Sequence, residues 1–469
     1  MKLETEFADF RDQVIGREQT FISPYCEQKI LYADWTASGR AYQPIETYLQ
    51  EHILPFMANT HTGSTHTGRV ISQAYEGAKT VIKNHVHAGK DDALIFCGSG
   101  MTAAVNKLQR ILGLRVPEQL KGYLQIDDAL RPVVFVTHME HHSNHTSWLE
   151  TIATVEIIAP DTRGNVDLDH FKRLLEDYSN RPYKIAAVTA CSNVTGIETP
   201  YREIAKLIHE YDGLCFVDFA CSAPYVDIDM QQLDAIYFSG HKFLGGPGTP
   251  GILIFNSKLY TNKIPDQPGG GTVVYSNPWG THTYITDIET REDGGTPPIL
   301  QGIKAALCIQ LKEAMGTARM KARKKELLNI IFARFNQINS ATVLQGEMTE
   351  RLGVVSFMIE GAHYNLVVRL LNDRFGIQTR GGCSCAGTYG HYLLQVDQAT
   401  SAKILADIQA GHPENKPGWV RLSVHPTMTD KEVHFIMDAI AQIVARYLTW
   451  ARDYQYCHTT NEFVHLLIN

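Results

Sequence analysis

Seven short apolar runs, near Ala93, Pro132, Val155, Ile185, Leu214, Ala235 and Gly251, mark the first half of the chain. Each is brief and bounded by Gly, Pro or polar residues, the signature of buried strands. Helical stretches such as 74–87 and 201–211 lie between several of them. Strands alternating with helices predict an α/β fold whose mainly parallel sheet is covered on both faces. At 469 residues the chain exceeds one ordinary core domain. A Pro/Gly-rich passage, 265–298, precedes a long helical pattern from Ile299 to Ile338, read as the link to a smaller C-terminal domain. That domain is expected to hold a strand at Gly353–Glu360, a cysteine-bearing loop and a last helix over Lys431–Tyr454. The expected boundaries are 25–310 for the large domain and 311–469 for the small one.

The polar residues that follow these strands carry the chemistry. Ser239-Gly240-His241-Lys242 falls between two apolar runs, so a lysine sits at the mouth of a core strand. Burying an ammonium is costly unless it is paired or used, and condensation with an aldehyde to an imine is one use. A solvated loop lysine is the plainer reading of this residue alone. Asp218 ends the strand Leu214–Asp218, at the end where open α/β sheets bind ligands. There it can hold a protonated pyridine nitrogen, as pyridoxal phosphate requires, or simply cap a turn. Ala93–Cys97, Gly98-Ser99-Gly100 and the helix beginning at Met101 form a strand, turn and helix start that can cradle a phosphate, with Ser99 and Thr102 as added donors. It is neither a Walker loop nor a complete dinucleotide fingerprint. His141 follows the strand at 132–136, where an imidazole can stack on a planar ring or move protons. Asn193 follows the strand at 185–189 and can donate to a phenolate oxygen. Five such residues at strand ends point together more strongly than any one of them.

This set, Gly98-Ser99-Gly100-Met101-Thr102, Glu140-His141-His142, Ser192–Gly196, Val217-Asp218 and Ser239–Lys242, resembles the class V aminotransferase-like, fold type I enzymes that use pyridoxal phosphate. Within them it is most similar to the cysteine desulfurase and selenocysteine lyase branch, over Tyr32 to Ser423. The resemblance implies a seven-stranded, mainly parallel large domain and a smaller α+β C-terminal domain, with residues 1–24 packing on the latter. It implies that Lys242 holds the cofactor aldehyde, Asp218 pairs with the pyridine nitrogen and His141 stacks on the ring. Asn193 lies near the phenolic oxygen or the substrate. Ser239, His241, Thr102 and the turn Ser99-Gly100-Met101 hold the phosphate. Thr296, in Glu292–Pro297, matches a threonine that a partner subunit contributes, which implies a homodimer with shared active sites.

The reaction is decided in Ile377–Gly387. Arg380 and Cys385 have the short spacing of the second desulfurase type, in which a loop thiolate takes sulfur from a cofactor-bound cysteine as a persulfide. Neighbouring cations favour the thiolate. Cys383 is a further thiol that can be the nucleophile, a resolving thiol or neither, and a pair of small residues in a Gly-rich turn is the plainer reading. Arg421 matches the arginine that clamps the substrate carboxylate, a task suited to a bidentate guanidinium. Two departures concern the substrate. Cys221 stands where relatives carry a glutamine on the phenolic oxygen, and a thiol bonds poorly, so Ser222 or Asn193 is a substitute. Thr62 stands where an arginine is common.

The expectation is therefore a cysteine desulfurase-like enzyme acting on cysteine or selenocysteine and leaving alanine, with a sulfur-acceptor protein as a possible partner. An aminotransferase, an epimerase, a C–S lyase and a non-catalytic cofactor-binding scaffold or sensor are the alternatives. A nicotinamide dehydrogenase leaves Lys242 unexplained and lacks the glycine fingerprint. A metal at His138, His141, His142 and His145 lacks a second ligand cluster, so none is expected. The net charge of −7 gives nucleic-acid binding little support, and no apolar run reaches membrane-spanning length. An N-terminus carrying acids and nine scattered cysteines fit a cytoplasmic protein with reduced thiols.

Overall fold

The computed structural model describes residues 3–60 and 63–467; Thr62 lies outside them. The chain divides into two compact units that interleave in sequence. The larger comprises Ser38–Cys191 and Thr199–Thr317; the smaller comprises the chain up to Ala37, Ser192–Glu198 and the chain from Ala318.

The seven apolar runs form the sheet of the larger unit: β1 (Asp92–Cys97), β2 (Val133–Thr137), β3 (Thr154–Ile158), β4 (Lys184–Thr189), β5 (Leu214–Asp218), β6 (Ala235–Ser239) and β7 (Gly251–Asn256). Their spatial order is β1-β7-β6-β5-β4-β2-β3, with β7 alone antiparallel to its neighbours. Strands β2 and β4 are buried along their whole length, as a sheet covered on both faces requires. Helices α1 (His66–His85), α2 (Met101–Ile111), α3 (His142–Leu149), α4 (Leu168–Asp177), α5 (Tyr201–His209) and α6 (Ile299–Met315) accompany the sheet. The core beneath α2 gathers Ile95, Val105, Leu108, Val134, Trp148 and Phe216. The carboxyl ends of the parallel strands share one edge, so the segments after β1, β2, β5 and β6 meet there.

The continuous helix expected over Ile299–Ile338 is two helices. Gly316 adopts φ +76°, in the left-handed region that glycine enters at no steric cost, and ends α6; α7 (Thr317–Phe335) starts anew.

In the smaller unit β8 (Ala341–Val343), β9 (Val354–Ile359), β10 (Arg380–Gly382) and β11 (Trp419–Ser423) form an antiparallel sheet ordered β8-β9-β11-β10. It carries α8 (Tyr364–Phe375), α9 (Gln398–Gln409) and α10 (Asp430–Trp450). A capping box between Thr429 and Glu432 opens α10. That helix stops at Trp450 instead of continuing to Tyr454. Asp453 is held by Arg374 at 2.8 Å and the Tyr454 hydroxyl by Asp373 at 3.0 Å, which draws the chain into the hairpin β12 (Tyr454–Cys457)–β13 (Glu462–His465). Ser192–Glu198 follows β4 but is bonded into the smaller unit. Ser356 Oγ donates to the Val194 carbonyl at 2.6 Å and Leu352 N to that of Gly196 at 2.7 Å. Gly196 has φ +72°, and a Cβ there would lie 3.1 Å from Val354.

Candidate active site

In the larger unit, Gly98 turns at φ +43° and hands the chain to α2 through Gly100, which offers no side-chain cap. The helix start is therefore open to an anion. Ser239, at the end of β6, is buried, and its Oγ accepts the Met101 N–H at 2.9 Å. That commits the Met101 amide to Ser239 and leaves the serine's own proton to donate. His241 Nδ1 lies 3.1 Å from the Ser99 carbonyl and donates to it. A Cβ on Gly100 would meet His241 Cε1 at 3.0 Å and Ser239 Oγ at 3.1 Å. Exposed Ser99 and Thr102 complete the cradle, with Thr102 Oγ1 bonded to Ser143 Oγ at 2.7 Å.

Lys242 ends a single helical turn, Gly240–Lys242, and is half-buried. Its loop is gripped by backbone. Gly39 N donates to the His241 carbonyl at 2.9 Å, and a Cβ on Gly39 would sit 1.9 Å from the Phe243 carbonyl. On Gly246 it would sit 2.2 Å from that of Gly240. The lysine's backbone position is thus fixed by glycines on both sides. Asp218 is buried, and its Oδ1 accepts from Ala220 N at 2.8 Å. Burial pushes its carboxyl up to about 6, against the pull of that N–H and the Lys242 ammonium. An ordinary aspartate is being held short of a cation. Ser222 Oγ, close in sequence, is buried without a hydrogen-bond partner, and Cys221 is buried beside it.

His141 caps α3, its Nδ1 accepting from Ser143 N at 3.1 Å, which fixes the proton on Nε2 and the ring in place. His138 turns elsewhere, to the Gly164 carbonyl. Sequence reasoning missed the support beneath His141. Buried Glu140 takes the Thr137 N and Oγ1, the Thr189 N and the Asn144 Nδ2 at 2.6–3.2 Å. Asn144 in turn accepts from Tyr237 Oη at 2.5 Å. Burial pushes Glu140 up to about 8 despite these donors. The network ties β2, β4, β6 and α3 together; Thr137 and Asn144 lie near Glu140 in sequence, but the bonds from Thr189 to Glu140 and from Tyr237 to Asn144 span 49 and 93 residues, beyond any local pattern. Thr296 is exposed, 3.5 Å from Asn59 Nδ2. It follows Asp293, which is anchored by Lys79 at 2.9 Å.

In the smaller unit, Arg380 on β10 is the register partner of Arg421 on β11, so both guanidinium stems leave the same face. Arg421 is buried. Its Nη2 bonds Asp34 Oδ1 at 2.7 Å and its Nη1 the Asn193 carbonyl at 3.2 Å, while Nε has no partner. Asp34 is a second residue that the sequence did not single out. Asn193 Nδ2 donates to the Ser384 carbonyl at 2.7 Å, and its Oδ1 is buried and unpartnered. Ser384 and Cys385 both lie at positive φ, +52° and +58°. Two consecutive non-glycine residues in that region store strain of about 1–3 kcal/mol each. The turn aims Cys385 Sγ at Arg380 Nη2, 3.9 Å away. Both thiols are half-buried.

Residues 31–436 match the family model described as Aminotransferase class-V. A probable cysteine desulfurase of Halalkalibacterium halodurans is 28 % identical over 368 residues, 76 % of this chain and 84 % of that protein. A cysteine desulfurase of Haloferax volcanii is 26 % identical over 381 residues, covering 80 % and 84 %. Among solved structures, the apo cysteine desulfurase of Thermococcus onnurineus superposes with a TM-score of 0.74 at 21 % identity, over 93 % of this chain and 98 % of that one. The Escherichia coli cysteine desulfurase CsdA gives 0.72 at 19 %, with the same coverage.

Proposed function

Because the chain belongs to the class V aminotransferase family, we propose that it is a pyridoxal phosphate-dependent cysteine desulfurase, taking sulfur from L-cysteine, or selenium from selenocysteine, and leaving alanine. The observation that carries the reading is the strained turn that sets Cys385 against Arg380 on the strand adjoining Arg421. The cofactor, when bound, supplies an aldehyde for amines and a sink for electrons.

In this reading the larger unit's residues hold the cofactor. The open start of α2, Ser99, Thr102, Ser239 and His241 take the phosphate. Asp218, short of a cation in its burial, takes the protonated ring nitrogen. Lys242 takes the aldehyde, and His141, with its ring orientation already set, lies against the pyridine. The unpartnered Ser222 hydroxyl supports a donor where Cys221 is poor.

The smaller unit's residues handle substrate and sulfur. Arg421 Nε, unpartnered, and the second Nδ2 proton of Asn193 receive the α-carboxylate. Cys385, its Sγ 3.9 Å from Arg380 Nη2, attacks the substrate sulfur as the thiolate that such a nucleophile must be. An S–S bond forms as the carbon–sulfur bond breaks, and the electron pair left on carbon takes a proton to give alanine. Exposed Thr296 supports a homodimer in which it serves the partner's phosphate site. Nine free cysteines support a reducing compartment such as the cytoplasm, and among the described residues no helix is long and apolar enough to cross a membrane.

Incubation with L-cysteine and a reductant tests the reading. Equal sulfide and alanine are expected, and Cys385→Ala abolishes both while keeping the cofactor's visible absorbance. Pyruvate in place of alanine would instead mark a β-eliminating lyase. Full activity in the Cys383→Ala/Cys385→Ala double variant overturns the assignment.

A further inference from the structure

The sequence offers no second ligand cluster near the histidines after β2, yet the fold assembles one elsewhere. His412 lies in the turn after α9, Glu414 in the short helical turn Pro413–Asn415, and His458 follows β12 in the C-terminal hairpin. Glu414 stands between the two rings. Its Oε1 is 3.2 Å from His412 Nδ1 and its Oε2 3.1 Å from His458 Nδ1. The imidazoles stand at 90°, their centroids 6.3 Å apart. One donor atom from each residue lies within 4.8 Å of the others, and among the described residues this is the one group of three His, Cys, Asp or Glu side chains so gathered.

Two imidazole nitrogens and a carboxylate oxygen are the donors that tetrahedral zinc takes at about 2.0–2.2 Å, which sets donor separations near 3.3–3.5 Å. Each imidazole is already close to that from one Glu414 oxygen, His412 from Oε1 and His458 from Oε2, so a modest turn of the carboxylate brings one oxygen toward both rings. All three side chains are partly exposed and able to adjust. The donor set favours zinc and its borderline neighbours over calcium or magnesium, which prefer oxygen alone.

We propose that His412, Glu414 and His458 form a zinc-class divalent cation site that staples the turn after α9 to the C-terminal hairpin. Three protein ligands leave one tetrahedral position for water. Where an Nδ1–H now donates to Glu414, its proton moves to Nε2, freeing the Nδ1 lone pair for the metal; no electron is transferred. The staple has work to do, because α9 buries none of its residues fully and is otherwise weakly held.

The test uses the full chain with its cofactor, stripped of metal by a chelator. Titration with Zn2+ by calorimetry is expected to show one equivalent bound. Co2+ in its place gives visible ligand-field bands without a thiolate charge-transfer band. The His412→Ala/His458→Ala variant loses that equivalent with cofactor absorbance unchanged. Glu414→Gln, which keeps the side-chain shape, weakens uptake at least about tenfold. Zn2+ slows proteolysis within 398–415 in the parent and not in the double variant. Undiminished Zn2+ uptake in both variants, or a thiolate band with Co2+ from a site built on Cys457 or another cysteine, overturns the site. Equal cleavage with and without Zn2+ overturns the staple.

Discussion

Arg421 shows how much one residue's neighbours decide. A guanidinium directly across from Arg380 is a like-charge pair that costs stability unless a carboxylate intervenes. Asp34 provides it at 2.7 Å, and in doing so occupies part of the fork that, in the proposed function, would take the substrate carboxylate. Asp34→Asn keeps the hydrogen bond and removes the competing charge. Its expected result is a lower KM for cysteine with kcat little changed, the sign of altered uniform binding, together with about 1–3 kcal/mol lost from the substrate-free protein. Steady-state kinetics and denaturant titration check both halves. Arginine and cysteine were legible in the sequence through their spacing. Asp34 was not, because nothing local distinguishes an aspartate in a short segment hundreds of residues from its partner. The spacing from Arg380 favoured Cys385 over Cys383 in sequence, and the turn sets the Cys385 sulfur 3.9 Å from Arg380 Nη2.

At the scale of elements, every strand of the large sheet was legible: the inner strands, buried on both faces, write themselves as apolar runs, and the half-buried edge strand β3 still carries four apolar or β-branched residues around Glu156. Helix ends were less so: α1 begins at His66, ahead of its apolar stretch, because Thr65 caps it by accepting from Gly68 N. The link at 299–338 read as one helix because its pattern is apolar on both sides of Gly316, and backbone handedness at one residue leaves no periodic trace. The Lys242 loop owes its shape to close backbone approach. Gly39→Ala forces a methyl to within 1.9 Å of the Phe243 carbonyl, so the segment must move. The expected outcome is cofactor affinity reduced at least about tenfold, a loss of roughly 1.4 kcal/mol, with the sheet intact. Titration of cofactor absorbance, with far-UV circular dichroism alongside, measures it; unchanged affinity refutes the role given to this contact.

For the whole molecule, the cofactor-free protein carries a buried charge deficit. Asp218 keeps its proton to about pH 6 when folded, against about 3.9 in an unfolded chain. Between those values the folded state binds more protons, so stability falls as pH rises, by about 3 kcal/mol once both limits are passed. Glu140, raised to about 8, extends the decline upward. Denaturant midpoints of the cofactor-free protein from pH 4 to 8 should show this slope, and Asp218→Asn should flatten its lower half. An unaltered slope in that variant refutes the assignment. The interleaving of the two units bears on how the protein is made. Synthesis up to Thr317 completes the larger unit's residues, but Ser192–Glu198 is made long before the strand β9 that receives it. Until Leu352, Val354 and Ser356 emerge, Val194 and its neighbours have nowhere to pack, and the nascent chain must hold an unfinished loop open at the edge of a nearly complete sheet. Maturation is therefore bound to the last third of translation, and neither unit can be cut out as a continuous piece for expression by itself.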